Sequence, residues 1–218
     1  MSENSMLAIG IIGTGGIANH IHMRSLTEMK DIEVRAVCDI IESRAQSTSQ
    51  KYSVPKWYSN YHQMLSELDL DAVLVLVQPD QAFRIVYECL NHDLDVFVEK
   101  PAGITSYQTK TLAEKAKEKG RIVQVGFNRR YIPLVQEIVK IMKETTVITQ
   151  VEGCFFKNSS ARFYDGCSSS YESDVIHAID LVRWIAGGNP QAAATAVGQY
   201  TSPVPNSWNS IIKFDNGV

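Results

Sequence analysis

A glycine-rich turn near the N-terminus constrains the fold of this chain more than any other feature of its sequence. The apolar run Leu7–Ile12 leads directly into G-T-G-G-I-A at positions 13–18, and a helical spacing of apolar residues follows. Gly13 permits the tight turn, Gly15 keeps a Cβ out of the path of a pyrophosphate, and Ala18 lets the helix pack closely on the strand. The helix N-terminus then presents free N–H groups to phosphate. The motif therefore predicts a dinucleotide site.

The residue after the second predicted strand indicates which dinucleotide binds. Asp39 follows the β-branched run Glu33–Cys38, about 20 residues beyond the glycine-rich turn, where a Rossmann fold has its ribose-binding acid. A carboxylate there accepts hydrogen bonds from the ribose hydroxyls and repels a 2′-phosphate. Neither Ile40 nor Ile41 supplies a compensating positive charge. The sequence therefore predicts NAD in preference to NADP.

Alternating strand and helix patterns continue to Gly126. The strand patterns cover Leu7–Ile12, Glu33–Cys38, Val54–Tyr58, Ala72–Val77, Asp95–Val98 and Ile122–Val125. The helical patterns cover Ile17–Met29, Glu42–Tyr52, Tyr61–Leu68, Gln81–Asn91 and Ser106–Lys119. Because the strands alternate with helices and lack polar alternation, they indicate βαβ units and a parallel sheet covered on both faces. Residues 1–126 are thus predicted to form a doubly wound α/β Rossmann domain.

The order changes to a mixed α+β pattern in residues 127–218. Helical patterns cover Pro133–Met142 and Val175–Ala186, and strand patterns cover Val147–Phe156, Ala192–Tyr200 and Ser207–Phe214. These patterns predict a partial second domain with a mostly open sheet. We expect this domain to bind substrate and to mediate oligomerisation. The final D-N-G-V is a turn signal that normally leads into another strand. We expect the uncovered sheet to bind a second copy of the chain, giving a homo-oligomer.

Composition and charge exclude several classes of protein. A formal net charge of −3 gives no basic field for nucleic acid, and apolar runs such as Ala72–Val77 are too short to cross a bilayer. His20 and His22 point about 200° apart on a helix, so no metal site is expected. The N-terminus lacks signal-peptide features, and the cysteines form no C-x-x-C pair, which predicts reduced thiols and a cytoplasmic protein.

Two further positions are candidates for chemistry. Glu99-Lys100-Pro101 follows the fifth predicted strand, and open α/β sheets bind ligands at the carboxyl ends of their strands. Lys100 is either an ammonium that meets a substrate hydroxyl or a solvated loop lysine. His177 shares a helix face with Asp174 and Asp180. It is either a proton acceptor made more basic by those carboxylates or a core histidine whose neighbouring aspartates serve as a helix cap and a surface charge.

Four segments together resemble one known family. They are G-T-G-G-I-A after the first strand, V-F-V-E-K-P at the fifth, V-G-F-N-R-R-Y-I-P after the sixth, and H-A-I-D-L-V-R-W-I-A-G further on. They are similar to the Gfo/Idh/MocA oxidoreductases, which include glucose–fructose oxidoreductase and inositol dehydrogenase. The resemblance covers essentially the whole chain. It implies an enzyme that transfers a hydride between NAD or NADP and a hydroxyl carbon of a sugar, cyclitol or related polyol.

The resemblance also implies roles for individual residues. Lys100 and His177 would be catalytic, Pro101 would carry a cis peptide bond, and Asp174 and Arg129 would bind substrate. The residues expected to contact the cofactor are Gly13, Thr14, Gly15, Gly16, Ile17, Asp39, Gln78, Pro79, Glu99, Lys100 and Asn128.

The chain departs from the family's pattern near these positions. The family often has two glycines and an aspartate before the histidine helix, where this chain has Ser168, Ser169 and Ser173, with Asp174 as the nearest carboxylate. A family histidine is replaced by Phe83, and members are usually longer. Two alternatives therefore stay open: a relative that binds NAD without turnover, and a relative that cleaves glycosides through transient oxidation.

Overall fold

The computed structural model describes residues 6–156 and 171–218. The chain divides into two compact units, Met1–Gly126 and Phe127–Val218. Ser168 and Ser169, named above as departures from the family's pattern, lie outside the described residues.

The first unit is built on a six-stranded parallel sheet. Its strands are β1 Leu7–Ile12, β2 Ile32–Cys38, β3 Lys56–Tyr58, β4 Ala72–Val75, β5 Asp95–Val98 and β6 Val123–Val125. They lie in the order β3-β2-β1-β4-β5-β6, and every neighbouring pair is parallel. This is the doubly wound order, in which the direction of winding reverses between β1 and β4. The predicted α/β fold is confirmed, and ligands are expected where β1 and β4 end.

Helices connect these strands. They are α1 Met23–Leu26, which continues a π-helical turn at Ala18–His22, α2 Glu42–Tyr52, α3 Tyr61–Glu67, α4 Pro79–Asn91 and α5 Ser106–Lys119. Local sequence explains the ends of α5: the Thr105 hydroxyl accepts a hydrogen bond from the Gln108 N–H, and Gly120 ends the helix at a φ of 63°. The first helix is shorter than predicted, because the α-helical hydrogen bonds give way after Thr27 to i→i−3 bonds from the amides of Glu28 and Met29.

Both faces of the sheet are buried, which explains the absence of polar alternation in its strands. One core includes Val73, Val75, Val86, Cys89 and Leu90. The other core includes Ile9, Ile11, Met23, Leu26 and Val37. Each fully buried aliphatic side chain contributes roughly 1.5–3 kcal/mol relative to an exposed one. The sheet is therefore a rigid platform for the loops at its edge.

The second unit contains two helices and a small sheet among its described residues. A 3₁₀ turn at Asn128–Tyr131 leads into α6 Pro133–Thr145, and a π-helical turn at Tyr171–Val175 leads into α7 Ile176–Ala186. The helix α7 ends at Gly187, whose φ of 72° suits glycine. Strands β7 Pro190–Gly198 and β8 Ser207–Phe214 pair antiparallel.

The predicted strand Val147–Phe156 is wrong. The chain has irregular structure there, and β7 and β8 pair only with each other within the described part of the chain. A strand exists only through hydrogen bonds to a neighbour, so an alternating pattern alone does not make one. Val151 instead lines an apolar cleft with Val139 of α6 and Leu181 and Ile185 of α7.

Candidate functional site

The two glycines Gly13 and Gly15 of the glycine-rich turn differ in backbone conformation and surroundings. Gly13 has a φ of 95°, and a Cβ built on it would lie 2.4 Å from the carbonyl oxygen of Leu76. By contrast, no atom lies within 4 Å of the Cβ position of Gly15. Gly13 is therefore required by the protein itself, whereas Gly15 leaves open space above the turn.

Asn19 holds this turn against the neighbouring helix. Its amide donates to the carbonyl oxygen of Thr14 at 2.8 Å and to the hydroxyl of Thr48 in α2 at 3.1 Å. The Tyr52 hydroxyl in turn donates to the Asn19 carbonyl oxygen at 2.7 Å. Sequence reasoning missed Asn19, because its partners in α2 become neighbours only once the strands pair.

Asp39 lies beside the same turn and is buried. Its Oδ2 accepts from the Thr14 amide at 2.8 Å and from the Thr14 hydroxyl at 3.1 Å, and its Oδ1 accepts from the Ile41 amide at 2.9 Å. A carboxylate offers about four acceptor positions. About one position therefore remains for a ribose hydroxyl while the contacts to Thr14 and Ile41 persist.

The residues around the turn fit a dinucleotide. The space over Gly15 admits a pyrophosphate, and no described side chain caps the helix that starts at Ala18 or places an acid in its first turn. Its first N–H groups and positive dipole are therefore available to an anion such as a phosphate. Gln78 is exposed at the start of α4, beyond the carboxyl end of β4, and Pro79 is buried in its first turn. Both lie at the edge where β1 and β4 end.

The segment Glu99-Lys100-Pro101 begins one residue beyond β5. The Lys100–Pro101 peptide bond is cis, as the family resemblance implied. The imidazole Nε2 of His22 lies 2.9 Å from Glu99 Oε1, and Glu99 Oε2 accepts the Lys100 amide at 3.2 Å. Both Glu99 oxygens thus have protein donors, and its predicted contact with the cofactor stays a prediction.

Opposing effects act on the Glu99 carboxyl. Burial raises its pKa, but the hydrogen bond and charge of His22, together with the amide and ammonium of Lys100, lower it by more. The net pKa of Glu99 lies below its ordinary value. The carboxylate is therefore the stable form in the folded protein at neutral pH.

In the second unit, Asp180, which the sequence predicts on one helix face with Asp174 and His177, pairs with an arginine. Its side chain is buried, and both oxygens accept from Arg130, with Nε to Oδ2 at 2.7 Å and Nη2 to Oδ1. The hydrogen bond and charge of Asp180 raise the pKa of Arg130. Asp180 therefore links the 3₁₀ turn to α7, and the alternative interpretation of it as a surface charge is wrong.

His177 lies in the first turn of α7 and is partly buried. The ring of Phe127 meets it edge-on, with centroids 6.2 Å apart and an interplanar angle of 83°. Asp174 is half-buried in the preceding π-helical turn, whereas Asn128 and Arg129 are exposed on the 3₁₀ turn. Phe127 and Arg130 thus bring Asn128 and Arg129 to the helix that carries His177.

Comparison with known proteins identifies the family. Residues 7–127 match the Gfo/Idh/MocA model, which describes an oxidoreductase family with an NAD-binding Rossmann fold. The chain belongs to the Gfo/Idh/MocA family. Its cofactor is accordingly NAD, as the sequence predicted.

Individual relatives agree with this assignment. The chain is 31% identical to inositol 2-dehydrogenase of Salmonella typhimurium over 184 residues, which cover 82% of this chain and 54% of that protein. It is 23% identical to scyllo-inositol 2-dehydrogenase (NAD(+)) of Bacillus subtilis over 226 residues, covering 95% and 64%. The crystal structure of a dehydrogenase from Chromobacterium violaceum has the same fold, with a TM-score of 0.84, 22% identity, and coverage of 98% and 64%. The chain thus spans about half the length of the Salmonella relative it matches.

Within residues 6–156 and 171–218, no helix is long and apolar enough to cross a membrane. No group of three or more His, Cys, Asp or Glu side chains there is arranged to hold a metal ion.

Proposed function

We propose that this protein is an NAD-dependent oxidoreductase that transfers a hydride between the nicotinamide and a hydroxyl carbon of a sugar, cyclitol or related polyol. The observation that carries the proposal is the turn at Gly15, open above and flanked by the Asp39 carboxylate, in a chain of this family. Residues 1–126 would hold the cofactor, and residues 127–218 would contribute to the substrate site.

The proposed roles follow from the chemistry of each side chain. Asp39 accepts a ribose hydroxyl, and the amides that follow Gly15 hold the pyrophosphate. Lys100 donates a hydrogen bond to the substrate oxygen and stabilises the negative charge that develops there. His177 accepts the hydroxyl proton as the alcohol is oxidised. The bound NAD supplies the hydride acceptor.

Cyclitols are the favoured substrate class. The relatives at 31% and 23% identity are named inositol dehydrogenases. Asp174 and Arg129 offer a carboxylate acceptor and a guanidinium donor, which are suited to ring hydroxyls. We propose that these two residues bind substrate.

The small sheet of the second unit is proposed as the surface for self-association. Both of its faces carry exposed apolar side chains, with Val197 58% exposed on one face and Ile211 79% exposed on the other. Exposed apolar sheet surface favours contact with another chain.

The thiols of Cys38 and Cys89 are free and buried, which supports a reducing, cytoplasmic location.

NADH absorbance tests the proposed activity. The protein is mixed with NAD and one substrate at a time: myo-inositol, scyllo-inositol or glucose. At least one of these mixtures should produce NADH. Lys100→Met should lower turnover roughly 10²-fold while NAD still binds. Lys110→Met is the control, since that lysine is 76% exposed on α5.

Two outcomes would replace the proposal. Binding of NAD by calorimetry with no NADH from any substrate would identify a non-catalytic relative, consistent with the buried Ser173 where the family often has an acid. Cleavage of a glycoside without net NADH would identify the transient-oxidation reaction.

A further inference from the structure

His22 and Glu99 join two segments of the first unit that the sequence keeps far apart. His22 lies in the helix that follows the glycine-rich turn, and Glu99 directly follows β5, a separation of 77 residues. Their side chains meet at 2.9 Å and are only 16% and 19% exposed. Little water competes with a hydrogen bond at such a position, so the contact is strong and directional.

The rest of the Glu99 side chain is also enclosed. Its second oxygen accepts the amide of Lys100, and the ring of Phe97 meets the His22 imidazole edge-on at 5.3 Å. On the other side lies Gly126, where a Cβ would stand 3.3 Å from Glu99 Oε2 and 3.2 Å from Phe97 Cζ. The absence of that Cβ gives the carboxylate its room.

We propose that His22 is a positioning residue for Lys100, acting through Glu99. The imidazole binds one carboxylate oxygen, and the other oxygen accepts from the Lys100 amide, whose nitrogen is bonded to the Cα that carries the Lys100 side chain. This inference deepens the proposed function, because Lys100 is the residue assigned there to the substrate oxygen. His22 itself touches neither substrate nor cofactor in this scheme.

Histidine suits this role for a chemical reason. Imidazole donates from Nε2 both as the neutral Nε2–H tautomer and when protonated, so the link to the carboxylate survives either state. A glutamine places its amide near the same point and also donates. A leucine fills similar space but leaves the Glu99 carboxylate without this donor.

The test compares His22→Gln with His22→Leu. With myo-inositol and NAD as probes, His22→Leu should lower kcat roughly tenfold or more, since small displacements of a catalytic group are costly. The Kd for NAD should change by a smaller factor than kcat, because the glycine-rich turn is untouched. His22→Gln should restore most of the turnover.

A second readout needs no turnover. Lysines labelled by reductive ¹³C-methylation give separate NMR signals, and loss of a signal in Lys100→Met assigns Lys100. His22→Leu should shift the Lys100 signal, whereas the Lys115 signal should stay in place because Lys115 pairs with Glu118. His22→Gln should leave both signals near their wild-type positions.

The outcomes separate the two proposals. An unmoved Lys100 signal in His22→Leu, or equal loss of turnover in the leucine and glutamine variants, would overturn the role of His22. A wild type that yields no NADH while the Lys100 signal still shifts would count against the proposed function alone. If His22→Leu fails to fold, Glu99→Gln gives the same NMR test, since it removes the charged acceptor and should also shift Lys100.

Discussion

At the scale of single residues, two glycines of one turn have different reasons to be glycine. Gly13 has a positive φ, and its Cβ would clash with a backbone oxygen, whereas Gly15 has open space and lies outside the left-handed region. Gly13 is constrained by the fold, and Gly15 by the proposed ligand. Substitution of each glycine should therefore affect a different property, stability for Gly13 and NAD affinity for Gly15.

Gly15→Ala should leave the fold intact and weaken NAD binding by about tenfold or more, equivalent to about 1.4 kcal/mol. The added methyl enters the space proposed for the pyrophosphate but meets no protein atom. Gly13→Ala is the contrast, and should destabilise the protein by roughly 1–3 kcal/mol through its backbone strain. Thermal unfolding and NAD titration of both variants measure this, and unchanged NAD affinity in Gly15→Ala would place the cofactor elsewhere.

Asp39→Ala should narrow the preference for NAD over NADP. Removal of the carboxylate takes away both the ribose acceptor and the charge that repels a 2′-phosphate. Because Asp39 also binds Thr14 and Ile41, the variant should lose some affinity for both cofactors. Thr14→Val, which loses only the hydroxyl contact, is the control for that loosening. Equal affinities for NAD and NADP in the wild type would contradict the proposed role of Asp39 in cofactor preference.

Glu99 should make stability depend on acid pH. A carboxyl whose folded pKa lies below its unfolded value stabilises the fold above the unfolded pKa and loses that contribution as the pH falls through the folded pKa. The wild type should therefore exceed Glu99→Gln in unfolding free energy most clearly near neutral pH. Urea titrations from neutral to acid pH should show the difference shrinking below the ordinary carboxyl pKa. A difference that grows on acidification has the opposite sign and contradicts the assignment.

Among the secondary-structure elements, α7 and the 3₁₀ turn before α6 are linked by the ion pair of Asp180 with Arg130. The Asp180 side chain is 6% exposed and that of Arg130 is 35% exposed. A buried carboxylate that loses its partner destabilises far more than a surface pair does, because its charge stays desolvated. The pair thus determines where the helix carrying His177 lies relative to Asn128 and Arg129.

Arg130→Met should destabilise the chain by roughly 1–3 kcal/mol, a range that allows for the partial exposure of the arginine. Arg130→Lys keeps the charge but loses the two-pronged contact, and should give an intermediate result. Arg129→Met is the matched control, because Arg129 directly precedes Arg130 and its side chain is exposed. Urea unfolding of the three variants decides this, and equal stability of Arg130→Met and wild type would show the pair to be energetically neutral.

At the scale of the whole molecule, the exposed small sheet should determine the state of association. Register places Ile211 opposite Ala194 on one face and Val197 opposite Trp208 on the other. The Trp208 ring lies 5.7 Å from that of Tyr171, so its face already has a partner within the second unit. The face of Ile211 is therefore the one proposed to meet a second chain.

Ile211→Lys should reduce self-association, because it places a charge on the proposed contact face. Val197→Lys, on the opposite face of the same sheet, should have a smaller effect and serves as the control. Light scattering over a concentration series measures both. A wild type that stays monomeric throughout, or equal effects of the two lysines, would contradict this surface.

Features that depend on local chemistry can be predicted from the amino-acid sequence alone. The helices Glu42–Tyr52 and Ser106–Lys119 and the strand Asp95–Val98 lie where they were predicted, because periodicity, capping residues and glycines act over a few neighbouring positions. The doubly wound fold followed from the alternation of such elements. The same holds for the glycine-rich turn, whose residues are contiguous.

Contacts between side chains that are distant in sequence become known only from the folded structure. The contacts of His22 with Glu99 and of Arg130 with Asp180 join residues 77 and 50 positions apart. The predicted strand Val147–Phe156 was wrong for a similar reason, since a ladder depends on a neighbour that its own pattern does not specify. Partners distant in sequence are determined by strand order and helix packing, and local patterns carry no record of them.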